Sequence, residues 1–251
     1  MRDFTLDKYR GLIQKIQDAG YATLTVHDYL RGQGAEQKCV VLRHDVDRRP
    51  GNALKMAKLE HSLGIASTYY FRYPKTFDPV LITHIRDLGH EIGYHYEVLA
   101  KAKGNYKEAL TLFRGELEAF RGICDVRTIC MHGSPLSRYD NRDLWKKYDF
   151  RDFGLEGEAY LSMAGKGLQY LTDTGRSWSG KHTVRDVMPD SGVIPVETTD
   201  DLVDWIGSSG EEALYLTVHP ERWAVDEGEW AVGYVKDLVM NAGKAVLVAM
   251  R

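Results

Sequence analysis

The sequence predicts an α/β fold whose largely parallel sheet curls into a barrel of about seven βα units. One observation is that short apolar, β-branched or aromatic segments alternate along the chain with segments whose apolar residues recur at helical spacing. Alternation of this kind requires crossover connections, which run between parallel strands. A second observation is that polar, ligand-capable residues directly follow several of the predicted strands. The number of units favours a closed barrel over a three-layer sandwich.

The first half of the chain is the more regular. Helical spacing, capping residues and terminal glycines predict helices over residues 5–19, 52–63, 78–88 and 106–120, with Asp78 as N-cap and Pro79 in the first turn of the third. Short apolar runs predict strands at residues 39–42, 65–71, 91–94 and 127–131.

The second half carries weaker patterns. Strands are predicted at residues 168–171, 184–188, 213–218 and 245–249, and helices at residues 199–206 and 229–241. Neither a linker nor a repeat interrupts the sequence, so we expect residues 1–251 to form a single domain. Residues 1–38 are expected to form an N-terminal helical extension that packs on this domain.

Composition excludes several classes of protein. The chain has 251 residues, with 33 Lys and Arg against 36 Asp and Glu, and a net charge of −3. This balance argues against a nucleic-acid binder and against a binder of anionic membranes. The first residues lack the apolar core of a secretory signal, and no apolar run is long enough to span a membrane. Three sparse cysteines do not suggest a disulfide framework, and Cys39 and Cys130 are expected to be buried thiols. We therefore expect a cytoplasmic protein, whose oligomeric state the sequence leaves open.

Five groups of polar residues follow predicted strands. In a barrel the carboxyl ends of the strands meet at one face, where active sites lie, so these groups are expected to line one pocket. Polar residues that merely begin loops would explain one or two such groups, but less well five that are rich in His and Asp. The groups are His44–Asp47 (HDVD), His95–Glu97 (HYE), His132–Pro135 (HGSP), Asp173, and His219–Glu221 (HPE).

The HDVD segment is the most specific of these groups. It places two carboxylates, Asp45 and Asp47, two residues apart at the end of a strand. One carboxylate can hold a divalent metal ion while the other accepts a proton as general base. A structural alternative is that one of the two caps the helix that begins after Pro50.

The order of motifs resembles that of the polysaccharide deacetylase family, which has the NodB-homology fold and is also called carbohydrate esterase family 4. The resemblance runs from about residue 39 to the end, and the HDVD and GHEIGYH segments are its most specific parts. It implies a distorted (β/α)7 barrel and a divalent metal ion, for which zinc is the expected choice. The motifs are LRHDVD (42–47), GIASTYYF (64–71), GHEIGYHYE (89–97), MHGSP (131–135), TDTGRSW (172–178) and LTVHPERW (216–223).

The resemblance also implies roles for individual residues. Asp45 resembles the catalytic base, and Asp47 and His95 resemble metal ligands. His219 resembles the catalytic acid that protonates the leaving group. Asp173, together with Trp178, resembles the segment that supports this histidine and walls the pocket.

Two departures from the family pattern affect the metal site. Where the family has a second histidine four residues after His95, this chain has Leu99, and MHGSP replaces the arginine-proline motif after the fourth strand. We expect His132 to supply the missing ligand from the next strand end. Glu97 is the competing third ligand, or a partner that orients His95.

Further residues beside the motifs are candidate substrate contacts. Arg43 and Arg48 flank the carboxylates, where they either hold Asp45 ionised or bind an anionic part of the substrate. The predicted substrate-binding residues are Glu97, Asp173, Arg176, Trp178 and Trp223, and Trp223 is the better candidate to stack on a sugar ring because it closely follows His219.

These roles together imply a hydrolase of C–N bonds other than peptide bonds. We expect a metal-dependent carbohydrate deacetylase that removes an N-acyl group, usually acetyl, from an amino sugar. The absence of a signal favours a cytoplasmic nucleotide- or lipid-linked precursor of surface polysaccharide as its substrate. Two alternatives are a carbohydrate-binding protein that has lost the metal, and a hydrolase of a non-sugar amide or ester.

Overall fold

The computed structural model describes residues 2–34, 37–133, 137–181, 183, 187–188, 192 and 194–249. For residues 244–249 it describes the backbone alone. Its main feature is a parallel sheet surrounded by helices, which confirms the predicted distorted barrel class. The strands are β1 (Ala22–Leu24), β2 (Cys39–Val46), β3 (Thr68–Phe71), β4 (Glu91–Tyr96), β5 (Thr128–Met131), β6 (Gly157–Glu158), β7 (Gln169–Thr172) and β8 (Ala213–Val218).

Eight α-helices lie along the described chain. They are α1 (Leu6–Asp18), α2 (Val26–Leu30), α3 (Pro50–Ser62), α4 (Pro79–Asp87), α5 (Val98–Lys101), α6 (Tyr106–Arg121), α7 (Thr199–Ser208) and α8 (Glu227–Ala249). Side-chain caps mark the N-termini of several helices. For α4 the predicted cap is confirmed, because the Asp78 carboxylate accepts from the backbone N–H groups of Val80 and Leu81 at 3.1 Å. Short 3₁₀ helices follow β5 and β8, at Asn141–Lys146, Phe150–Phe153 and Pro220–Arg222.

The strands run in the order β6-β5-β4-β3-β2-β8-β7, and every pairing is parallel. Within the described residues β6 and β7 do not pair, so the barrel is open on that side. Strand β2 is central, because its first half pairs with β1 and β8 and its second half pairs with β3 and β8. The carboxyl ends of β2, β3, β4, β5, β7 and β8 therefore lie at one face of the barrel.

The N-terminal residues are part of this assembly. Helix α1 packs against α7, and β1 adds to the edge of β2. The helical extension predicted for residues 1–38 therefore also contains a strand, which is only three residues long and carries no strong alternation. The described helices include none that is long and apolar enough to cross a membrane.

The predicted strand at 245–249 is wrong, because these residues belong to α8. The apolar, β-branched run there suggested a strand, but no helix-breaking residue separates it from the helix predicted at 229–241. Gly243 lies within the helix and does not end it. The strand predicted at 184–188 falls largely outside the described residues, and Val187 and Met188 are not in a strand.

Side chains alternate across β2, which gives its two faces different contacts. Arg43 and Asp45 point into the barrel, where the Arg43 guanidinium donates to the Asp45 carboxylate at 3.2 Å and to the Tyr215 hydroxyl at 2.7 Å. His44 points to the helix layer, where its Nε2 lies 2.6 Å from Glu60 of α3. Both contacts are buried and hold the strand that carries the first site residues.

Glu60 is the centre of a buried polar cluster behind β2. Its carboxylate accepts hydrogen bonds from the hydroxyls of Tyr9, Ser67 and Tyr69, the last two at 2.6 and 2.9 Å. Burial alone would raise the pKa of this carboxyl, but His44 and the other partners bring the pKa of Glu60 down to about 2. The cluster therefore joins α1, α3 and β3 to β2 around one ionised group.

Candidate metal centre and active site

Four of the predicted strand-end residues gather at the carboxyl ends of β2, β4 and β5. Asp45 is in β2 and Asp47 lies one residue beyond it, His95 is in β4, and His132 follows β5 directly. The His132 backbone N–H donates to the carbonyl of Tyr96 at 2.8 Å, which extends the β4–β5 pairing by one residue. This pairing brings the two imidazoles together, with ring centres 5.3 Å apart.

Asp47 lies between the two histidines. Its Oδ1 is 3.4 Å from His95 Nε2 and 3.3 Å from His132 Nε2, and this buried oxygen has no hydrogen-bond partner among the residues that the structure describes. Burial alone would raise the pKa of Asp47, but His132 and His95 hold it well below the usual range. The carboxylate is thus negatively charged and faces two imidazoles.

The tautomer of His95 follows from the contact of its second ring nitrogen. His95 Nδ1 lies 3.0 Å from the carbonyl of Cys130, which accepts only from a protonated nitrogen. His132 Nδ1 lies 3.1 Å from a Glu97 carboxylate oxygen. With its proton on Nδ1, His95 directs the Nε2 lone pair at Asp47 Oδ1, and His132 Nε2 lies 3.3 Å from the same oxygen. The donor set fits a divalent cation with nitrogen and oxygen ligands.

Glu97 acts on His132 and not on His95. Its Oε2 is 2.7 Å from Arg72 Nη2 as well as 3.1 Å from His132 Nδ1. Burial raises the pKa of a carboxyl, but His132 and Arg72 lower the pKa of Glu97 to about 2. Burial would lower the pKa of His132, but Asp47 and Glu97 raise it to about 9. Glu97 thus contacts His132 and Arg72, and its predicted roles as a third ligand or as a partner of His95 stay predictions.

The second half of the site is built around Asp173, which follows β7. Each of its two carboxylate oxygens makes two polar contacts with other residues of the protein. Oδ1 accepts from Arg222 Nη1 and lies against His219 Nδ1, both at 2.6 Å, and Oδ2 accepts from the His219 backbone N–H and from Trp223 Nε1, both at 2.9 Å. Burial would raise its pKa, but Arg222 and His219 lower the pKa of Asp173 to about 2.

His219 is oriented by this carboxylate. Because Nδ1 is directed to Asp173, Nε2 is the nitrogen left for chemistry. Burial and Arg222 would lower the pKa of His219, but Asp173 and Asp47 raise it. His219 directly follows β8, whose carboxyl end lies at the same face of the barrel as those of β2, β4 and β5.

Three of the predicted substrate-binding side chains are buried and cannot contact a ligand in this structure. Asp173 is fully buried and saturated with donors, while Trp178 and Trp223 are 2% and 1% exposed. Trp223 packs against Phe4 and Tyr9, and Trp178 donates to the hydroxyl of Thr199. The assignment of Trp178 and Trp223 as stacking surfaces is therefore not supported, because the N-terminal residues cover them.

Arg176 is also engaged within the protein. Its Nε donates to Asp237 of α8 at 2.7 Å, and Arg48 Nη2 lies 3.8 Å from the same carboxylate. Arg48 Nε in addition donates to Glu221 at 3.2 Å. Helix α8 is thereby tied to the carboxyl ends of β2, β7 and β8, a contact that the sequence patterns did not indicate.

Sequence reasoning missed the contributions of Cys130 and Arg72 to the site. Arg72 follows β3 directly, so the strand-end rule that selected the other groups would also have selected it. Cys130 pairs in register with His95, and alternation places it on the same side of β5 as His132. Its thiol lies 3.8 and 3.9 Å from the two oxygens of Asp45.

Comparison with solved structures finds similar folds at low identity. The chain is similar to a carbohydrate esterase family 4 (CE4) esterase from Streptococcus mutans, with 14% identity, a TM-score of 0.47 and 89% of both chains covered. It is similar to a family 4 carbohydrate esterase from Bacillus anthracis, with 16% identity, a TM-score of 0.42 and 86% of both chains covered. A CE4 family pseudoenzyme from Bacillus anthracis matches with 12% identity and a TM-score of 0.45, over 83% of this chain and 62% of the other. Neither a protein-family model nor a curated protein sequence matches the chain.

The first testable prediction concerns the metal ligands. A crystal grown with zinc should show one ion bound by Asp47, His95 and His132, at about 2.0–2.2 Å from each ligand atom. The reason is that Asp47 Oδ1 already faces both Nε2 atoms. Anomalous scattering at the zinc edge locates the ion. An ion bound to Asp47 and His95 but more than about 4 Å from His132 would remove His132 from the ligand set.

Proposed function

We propose that this protein is a metal-dependent hydrolase that removes an N-acyl group, usually acetyl, from an amino sugar. The observation that carries the proposal is that the strand-end residues make three different sets of contacts. Asp47 faces two imidazoles, while Asp45 stays outside that contact and His219 is held by Asp173. A ligand carboxylate, a second carboxylate and an oriented histidine are the parts that amide hydrolysis at a metal centre requires.

Asp47, His95 and His132 would hold the cation, with zinc as the expected ion. When bound, the cation supplies Lewis acidity and stabilises negative charge that develops on the acyl oxygen. Glu97 orients His132, and the carbonyl of Cys130 orients His95, so that both Nε2 atoms face the ion.

Asp45 serves as the general base that takes a proton from the attacking water. It lies inside the barrel with its Oδ2 3.2 Å from Arg43, which is fully buried and stacks against Tyr160 at 4.3 Å. The guanidinium fixes the position of the Asp45 carboxylate, which is the group that would accept the proton. Asp45 Oδ2 also lies 3.9 Å from His95 Nε2, and this proximity to a proposed ligand supports Asp45 as the base.

His219 serves as the general acid that protonates the departing amine. Asp173 fixes its orientation through two hydrogen-bonding positions and raises its pKa, so the imidazole is charged at a higher pH than a free histidine. An amine leaves poorly without a proton, so an oriented imidazolium contributes directly to breaking the C–N bond.

Basic side chains near the site support an anionic substrate, such as a nucleotide- or lipid-linked amino sugar. Lys75 is exposed beyond β3 and makes no ion pair with any residue that the structure describes. Partial burial, Arg72 and Arg48 lower the pKa of Lys75, while Asp47 and Glu97 act in the opposite direction. The negative charge of a diphosphate linkage would pair with the positive charge of Lys75, whereas a neutral oligosaccharide offers no such charge.

A second candidate function is binding of a carbohydrate without catalysis. The observation that favours it is Leu99, which stands where the family has a second metal-ligating histidine and is buried in the core. Metal analysis separates the two functions, because a stoichiometric divalent ion supports the hydrolase and its absence supports the binding protein.

The second prediction concerns the base. Asp45→Asn should keep the fold and the bound metal but lower turnover roughly 10²–10⁴-fold, because an amide cannot accept the proton. Turnover is measured as acetate released from an N-acetyl amino sugar, and metal content by elemental analysis. Glu108→Gln, which removes a carboxylate from the exposed first turn of α6, is the control and should leave both unchanged. Near-normal turnover of Asp45→Asn would exclude Asp45 as the base.

The third prediction separates acid catalysis by His219 from positioning. His219→Ala should lower turnover of the amide strongly, and should affect an activated aryl ester much less, because a phenolate leaves without a proton. Metal content should stay unchanged, since His219 is not among the proposed ligands. Equal losses on both substrates would contradict the acid role and would assign His219 to positioning.

A further inference from the structure

A second group of ligand-capable side chains lies beside the proposed metal ligands. Asp45, His95 and Cys130 are all buried and each offers a ligand atom, and these three atoms lie within 4.8 Å of one another. Cys130 Sγ is 3.8 Å from Asp45 Oδ1, and His95 Nε2 is 3.9 Å from Asp45 Oδ2.

The register of the sheet places this trio. His95 and Cys130 are partners across the β4–β5 pairing, and Asp45 comes from β2 on the inner face of the barrel. Asp47 and His132 lie just beyond the ends of their strands. The trio is therefore one layer deeper than the Asp47–His132 pair.

His95 belongs to both donor sets but can serve only one cation at a time. Its Nδ1 is directed to the carbonyl of Cys130, so Nε2 is its single ligand atom. A cation that takes His95 into the deeper set must therefore leave Asp47 and His132.

We propose that Asp45, His95 and Cys130 form a second, deeper cation position that takes thiophilic cations, of which Cd²⁺ is the diagnostic one. Thiolate ligands favour soft cations, whereas the outer set offers only nitrogen and oxygen. On binding, the sulfur–hydrogen bond of Cys130 is replaced by a sulfur–metal bond, and the thiol proton leaves to solvent.

The observed separations suit this exchange of partners. Tetrahedral coordination with ordinary zinc bond lengths places sulfur and oxygen ligands about 3.6 Å apart, and nitrogen and oxygen ligands about 3.4 Å apart. The deeper trio, at 3.8 and 3.9 Å, must contract by a few tenths of an ångström. A cation that gains a bond to sulfur supplies the driving force for this contraction, and a hard cation does not.

The inference rests on the proposed function in one respect. If Asp45 is the base, a cation in the deeper position occupies its carboxylate and inhibits hydrolysis. A hard cation such as Mn²⁺ leaves Asp45 unligated and the enzyme active.

The test is a Cd²⁺ titration of the metal-free protein, followed by the ultraviolet charge-transfer absorption from thiolate to cadmium. The wild-type protein should develop the band with one equivalent of Cd²⁺. Cys130→Ser should not develop it, and His132→Ala should keep it, because His132 is outside the deeper trio. Cys124→Ser is the matched control, since Cys124 is a buried thiol that donates to the carbonyl of Phe120 away from the site.

Circular dichroism and thermal unfolding check that each variant is folded, and Cys130→Ala replaces Cys130→Ser if the serine variant is not. A wild-type protein that shows no band, or a folded Cys130 variant that keeps it, would overturn the inference. So would loss of the band in Cys124→Ser.

An activity measurement distinguishes this inference from the proposed function. Cd²⁺ should inhibit the Mn²⁺-loaded wild-type enzyme, and the Cys130→Ser enzyme should need about tenfold more Cd²⁺ or more, since losing even an indirect contact to a metal costs about that factor. If the Mn²⁺-loaded protein releases acetate but no cadmium band forms, the proposed function stands and the deeper position is wrong. If the band forms and no metal supports hydrolysis, the deeper position stands and the proposed function is wrong.

Discussion

Strand β2 carries the constraint on which the site depends, because ionisable residues on both of its faces are buried and each contacts an ionisable partner. Arg43 and Asp45 are paired inside the barrel, and His44 contacts Glu60 in the helix layer. Removing one member of such a pair leaves an uncompensated buried charge, which costs about 3–5 kcal/mol. Since β2 pairs with β1, β3 and β8, these contacts fix the strand end from which Asp47 emerges.

Asp173 plays the corresponding part on the other side of the barrel. It joins the end of β7 to the segment after β8 through His219, Arg222 and Trp223. The N-terminal Phe4 and Tyr9 then close over Trp223. Residues that resemble substrate contacts in sequence are therefore used here to hold a histidine in place.

The sequence predicted most of the fold and the part of the site that depends on strand ends. Because parallel strands share one carboxyl edge, the positions of Asp47, His95, His132 and His219 followed from the apolar runs before them. The sequence could not predict the partner of Glu97 or the burial of Trp178, since both depend on contacts between segments distant along the chain. Helix α8 was misjudged at its end because a β-branched run is compatible with either state.

The most direct test of the account is whether acetate release depends on a divalent cation held by the Asp47 site. The protein is stripped with a chelator, reloaded with Zn²⁺ or Mn²⁺, and assayed on a nucleotide-linked N-acetyl amino sugar, with Asp47→Asn assayed in parallel. We expect no release after stripping, recovery on reloading in the wild-type protein, and no recovery in Asp47→Asn. Equal release before and after stripping, or full recovery in Asp47→Asn, would contradict it.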